Sequence, residues 1–242
     1  MALLVVLLMA FPGERIGTLP TGRILEPGIW QVSVSHRFLP DADNATLGTP
    51  WNFLRGANVR LAVERGINGR FNAGVYLNSA GDVKEAGLAG SWMPFRWLTA
   101  MTTVGTDVVE LAPSGTWLSA GAAVFTNPTL GPIHLVVLPR VTANTAAGES
   151  NRLYVSLGAG AKVDPGAGFS FGAETEPVLY GQKDTARLLA WSIALDKEVG
   201  WHNFTLTVGN AWHQSVPGWF ASANRDITGG NFRVGFNILR KL

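Results

Sequence analysis

Glu174 and Glu176 stand two residues apart in the stretch FSFGAETEP (169–177). On an extended chain that spacing puts both carboxyls on one face, about 7 Å apart. Two carboxyls at such a separation can act as an acid–base pair, or they can face Arg and Lys side chains across a sheet. The rest of the sequence favours the second use. No Gly-x-Ser-x-Gly elbow offers a nucleophile. The run Gly158-Ala159-Gly160-Ala161-Lys162 looks like a phosphate loop, but it lacks the GxxxxGK[ST] spacing and no helical pattern follows it. The histidines are His36, His134, His202 and His213, and no pair has a close metal-ligand spacing such as HExxH. The chain has no Cys, which excludes disulfides, Cys-based zinc sites, thiol catalysis and covalent attachment of a c-type haem. These residues predict a protein that is not an enzyme and holds no cofactor or metal.

The element that carries Lys162 accounts for the glycines differently. In RLYVSLGAGAKV (152–163), Leu153, Val155, Leu157, Ala159, Ala161 and Val163 share one parity, while Arg152, Tyr154, Ser156, Gly158, Gly160 and Lys162 share the other. Side chains on a strand alternate between faces, so this is one long strand with an apolar face and a small, polar face. The pattern recurs near 30–38, 58–64, 71–78, 83–92, 97–106, 116–125, 133–142, 169–178, 189–196, 201–210 and 232–238. About twelve strands of roughly ten alternating residues are the signature of a transmembrane β-barrel. The expected fold is therefore all-β, a single closed antiparallel barrel of about twelve strands.

The connections alternate in length. Short ones fall near 66–69, 93–96, 126–131, 164–168 and 197–200, and the others include the long segments 39–56 and 211–228. Outer-membrane barrels have short periplasmic turns and longer extracellular loops. Trp30, Trp92, Trp97, Trp117 and Trp201 fall near strand ends, where an aromatic girdle would meet the lipid–water boundary, whereas Trp191 falls nearer mid-strand. The apolar face then looks out to lipid. The glycine-rich face looks into the lumen, where small residues leave room for long charged side chains from neighbouring strands.

Bulk composition agrees with a membrane setting. Charged residues are 15% of the 242, below the roughly 25% of soluble domains, and mean hydropathy is +0.17. A net charge of +2 is too balanced for a nucleic-acid footprint. The apolar run Ala2–Ala10 is shorter than the roughly 20 residues of a spanning helix and looks like the core of a secretory signal. Residues 1–17 are accordingly read as a signal-peptide remnant or N-terminal tail, and 18–242 as the barrel in the bacterial outer membrane.

Lumen parity collects Arg37, Arg60, Arg140, Arg152, Lys162 and Arg233 against Glu64, Glu174, Glu176 and Asp196, with His134 among them. The set predicts a polar, net-basic interior that either lines a water-filled path or locks together as ion pairs. His36 and His202 have the outward parity.

TLPTGRILEPGIWQVSVSHRF (18–38) runs into a first strand ending Ser-His-Arg-Phe, and it is joined by HNFTLTVGN (202–210) and FRVGFNILR (232–240). In these motifs the chain resembles a family of uncharacterised bacterial outer-membrane β-barrels. The resemblance implies a single barrel and brings no catalytic residues. The expected function is a narrow pore for small solutes or ions with mild anion preference. The alternative is a structural barrel that scaffolds or sheathes a partner, such as a lipoprotein, surface filament or redox complex, through segments 39–56 and 211–228. In either case the surrounding partner is outer-membrane lipid.

Overall fold

The structure, a computed structural model, describes residues 15–38, 57–80, 83–109, 115–125, 131–144, 153–181, 189–211 and 232–242. In chain order the strands are β1 (Trp30–Phe38), β2 (Ala57–Asn68), β3 (Phe71–Ala80), β4 (Val83–Phe95), β5 (Leu98–Val109), β6 (Gly115–Phe125) and β7 (Ile133–Asn144). They continue with β8 (Leu153–Gly166), β9 (Phe169–Glu176), β10 (Val178–Tyr180), β11 (Ala190–Val199), β12 (His202–Gly209) and β13 (Arg233–Lys241). Pro177, which has no N–H to give to a ladder, separates β9 from β10. Both pair with β8, so they are one strand of the wall. The wall thus has twelve strands, each antiparallel to its neighbours, and it closes through β1–β13 and β8–β9.

The outer surface is apolar. Leu77, Leu88, Phe171, Ile193 and Leu206, on five different strands, are each more than half exposed. The inner face is polar and buried, with Asn58, Asn78, Thr99, Thr142, Ser156 and Ser170 among its residues. A soluble fold has the opposite arrangement. In hydrocarbon it is the required one, since closure pairs every backbone group and leaves no edge. The apolar face looks outward.

Trp30, Trp92, Trp97 and Trp201 are all exposed. They stand at or near the rim that carries the short turns, Trp30 at the start of β1, and Phe95 stacks on Trp97 there with ring centroids 5.6 Å apart. Trp191 corrects the mid-strand expectation. It is the second residue of β11 and lies at the opposite rim. The side chain of Trp117 lies outside the described residues.

Glycines on the inner face do two different things. Gly74, Gly87 and Gly235 stand directly across from Glu64, Tyr76 and Arg37 of adjacent strands, which lean over them as expected. Gly158, Gly160 and Gly172 do not make room for wall side chains in this way. A Cβ at any of the three would come within 2.6 Å of Leu19 or Ile16. Those two residues belong to the chain before β1, which enters the barrel.

Candidate functional site

The segment Arg15–Ile29 occupies part of the lumen. Near the short-turn rim it is held to the β2 end by two backbone bonds, Gly28 N to Gly66 O at 2.8 Å and Gly66 N to Ile29 O at 2.9 Å. Earlier along the segment, Leu25 N donates to Asn72 Oδ1 at 2.9 Å and Thr99 Oγ1 donates to the Gly22 carbonyl at 2.5 Å. The segment then turns on itself. An isolated bridge joins Arg15 to Pro20, and Ile16 N donates to Leu19 O at 2.9 Å.

The tip of this turn is held most firmly. Glu174 accepts hydrogen bonds from Thr18 N at 2.7 Å and Leu19 N at 2.8 Å, one on each carboxyl oxygen, and also from the Ser192 hydroxyl. Asn237 Nδ2 donates to Gly17 O at 2.8 Å, and Arg37 bridges Asn237 Oδ1 and Thr18 Oγ1. Ile16 and Leu19 are fully buried, and they cluster with Ala123, Val136, Leu138 and Ala190 of the inner wall. A lumen otherwise lined by polar groups contains a small apolar core on its β6–β11 side.

The expected inward residues divide by task. Arg140 reaches over β8 to Glu176 at 3.2 Å, and Ser156 donates to the same carboxyl at 2.6 Å. Lys162 reaches over β9 to Asp196 at 2.9 Å, with Thr205 donating to Asp196 at 2.5 Å. Glu174 serves the N-terminal segment and Arg37 stands beside it. Arg60 lies over the Tyr76 ring, 4.8 Å from its centroid. Glu64 is half-buried over Gly74, and His134 and Arg233 are buried inward. Arg152 lies outside the described residues. His36 faces outward and stacks on Phe236 at 5.1 Å, and His202 stacks on Phe204 at 5.9 Å. His213 lies outside the described residues.

Sequence reasoning missed Glu85, which is buried on the inner face and accepts from Asn78 Nδ2 at 2.9 Å. With it, the described inner wall away from the rims carries five bases (Arg37, Arg60, Arg140, Lys162, Arg233) and five acids (Glu64, Glu85, Glu174, Glu176, Asp196). Among the described lumen residues away from the rims, the positive excess therefore comes from Arg15 and Arg23 on the segment itself. A cavity of about 60 Å³ remains between segment and wall. Arg15 and Arg23 of the segment and Arg60 and Arg140 of the wall line it, with Glu64 the one carboxylate among the described residues.

Closed wall, lipid-facing apolar exterior and polar interior together define a bacterial outer-membrane β-barrel that holds part of its own N-terminal chain. Residues 134–242 match the family described as a membrane bound beta barrel domain (DUF5777), which bears out the resemblance to an uncharacterised outer-membrane barrel family. Among solved structures, the KdgM porin superposes with a TM-score of 0.55 at 9% identity, over 87% of this chain and 98% of that one. The same scores hold for the KdgM porin in complex with disordered oligogalacturonate. LpxR from Salmonella typhimurium superposes with a TM-score of 0.51 at 11% identity, over 87% of this chain and 99% of that one. At such identities the likeness is one of fold. No curated protein matches the chain in sequence.

Proposed function

We propose that the barrel is a narrow outer-membrane channel for small solutes with a mild preference for anions, and that the segment Arg15–Ile29 is its gate. The arginine-lined cavity between segment and wall carries this assignment. Charges in a narrow space between low-dielectric walls focus the field and favour counter-ions. The KdgM porin, known with oligogalacturonate bound, offers a precedent in fold for passage of an acidic solute. Planar-bilayer recordings decide between outcomes. The intact chain should show small or intermittent conductance, and a chain lacking residues up to Leu25 should show larger, steady conductance. Silence from both, with the barrel correctly assembled, would sink the channel.

A second function, a structural barrel that scaffolds or sheathes a partner, is favoured by the apolar cluster of Ile16 and Leu19, which fills one side of the lumen. Purification from native membranes followed by mass spectrometry separates the two. A stoichiometric partner protein supports the scaffold, and a lone barrel that conducts supports the channel.

A further inference from the structure

We infer that the cavity between segment and wall is a binding site for a small oxyanion, and that the bound anion fastens the segment in its docked position. Among the described residues, four guanidinium groups line the cavity, two from each side of the gap, with Glu64 as the one carboxylate. A second observation points the same way. Arg60 is only 2% exposed, yet among the described residues its Nε and Nη1 donate to no hydrogen-bond acceptor. Its guanidinium carbon lies over the Tyr76 ring, 4.8 Å from the centroid. Buried donors of a charged group left without acceptors are costly. An oxyanion is the ligand that guanidinium forks match, because it accepts two parallel N–H bonds at once.

The space sets the size. A cavity of about 60 Å³ has room for roughly four to six water-sized atoms at 10–15 Å³ each, which suits phosphate or a short carboxylate. Charge explains the fastening. Without an anion, Arg15 and Arg23 on the segment face Arg60 on the wall across the gap, beside an Arg140 already paired with Glu176, and the like charges of Arg15, Arg23 and Arg60 oppose docking. An anion between them turns the repulsion into attraction on both sides.

This inference rests on the channel assignment only in placing the site on the conducting path. The probes are inorganic phosphate and malonate, each titrated at constant ionic strength into the intact barrel in detergent, with chloride as the balancing salt. The first measurement is the temperature at which the barrel loses its heat-modifiable gel mobility. Saturable stabilisation by about 5–10 °C at a hundredfold excess over Kd is expected from at least one probe. Comparison of the two probes distinguishes a phosphate site from a carboxylate site. Arg60→Gln should abolish the shift. Arg23→Gln, which leaves the wall untouched and so should not disturb assembly, should weaken it at least tenfold in concentration. Absence of saturable binding by either probe, or an equal shift in both variants, overturns the site. Bilayer recordings keep the two ideas apart: binding without conduction removes the channel and keeps the site, and conduction without binding does the reverse.

Discussion

If Ile16 is seated between two glycines, then Gly160→Val should unseat the segment without harming the wall. An ideal Cβ at position 160 would stand 2.6 Å from Ile16 Cδ1, 3.3 Å from the Ala173 carbonyl oxygen and 3.4 Å from Leu19 Cδ2. Carbon atoms in contact prefer about 3.5–4.0 Å, so the first approach is short by about 1 Å before the two γ-methyls are added. Ile16 cannot swing aside, because its Cγ2 lies 2.6 Å from where a Cβ on Gly172 would be. Overpacking of this kind costs about 1–3 kcal/mol, and only the docked state bears it, since valine suits a strand and the vacated lumen has space. At about 1.4 kcal/mol per tenfold, the undocked population should rise roughly 5- to 150-fold. Single-channel open probability reads that change, and heat-modifiable mobility checks that the barrel still assembles. The control is a double-mutant cycle with Ile16→Ala. Once Cγ2 and Cδ1 are gone, Gly160→Val should have almost no further effect. An effect of equal size in both backgrounds, or none in either, would refute the seating of Ile16.

Glu174→Gln leaves one carbonyl oxygen where two carboxyl oxygens now take Thr18 N and Leu19 N, so one amide loses its acceptor at a cost of about 1–3 kcal/mol. Open probability should rise with the wall intact; an unchanged value would show that the tip is held elsewhere. Arg15→Gln with Arg23→Gln removes the excess positive charge inside the lumen, so the anion preference should fall toward zero at low salt, where the Debye length is about 10 Å at 0.1 M. Reversal potentials under a salt gradient measure it. Leu157→Arg, on the lipid face of β8, should lower the yield of assembled barrel through a penalty of about 2–4 kcal/mol near mid-membrane. Gly158→Arg, one residue on, should assemble and yet displace Leu19, which a Cβ there would meet at 2.6 Å. Gel mobility and conductance together distinguish these two variants.

The wall was readable because a barrel strand obeys one strong rule, a period of two with lipid on one side. Its errors lie at the rims, where that rule lapses. The alternation that defines β8 ends at Val163, but the strand runs on through an irregularity at Asp164-Pro165 to Gly166, which pairs with Phe169 at the turn. β4 likewise runs on to Phe95 past the last alternating residue. Glu85 was overlooked because Gly87 and Ala89 on the same face give no contrast with the outward Ala86 and Leu88. The inward segment was illegible for a different reason. Arg15–Ile29 has no periodicity, since apart from one bridge it forms no regular structure. Its traces lay in the wall instead. Val136 and Leu138 are apolar at inward parity on β7, and Gly158, Gly160 and Gly172 leave a hollow that no large wall residue fills. Apolar residues facing a hollow in a polar lumen require an apolar visitor, and Ile16 and Leu19 are that visitor.

Charge then ties gating to selectivity. The described inner wall away from the rims is balanced, and its acids are largely engaged: Glu176 with Arg140, Asp196 with Lys162, Glu174 with the segment tip. A balanced wall with paired charges presents little net field to a passing ion. The segment brings Arg15 and Arg23 to the cavity, so the docked state is both the narrowest and the most basic. Undocking would remove the obstruction and the charges of Arg15 and Arg23 in one movement, and it would leave Glu174 without the two amides whose hydrogen bonds it now accepts. If the segment is the gate we propose, the open lumen would be wider and less anion-selective than the closed one, and an anion bound by the four arginines would favour the state that passes least.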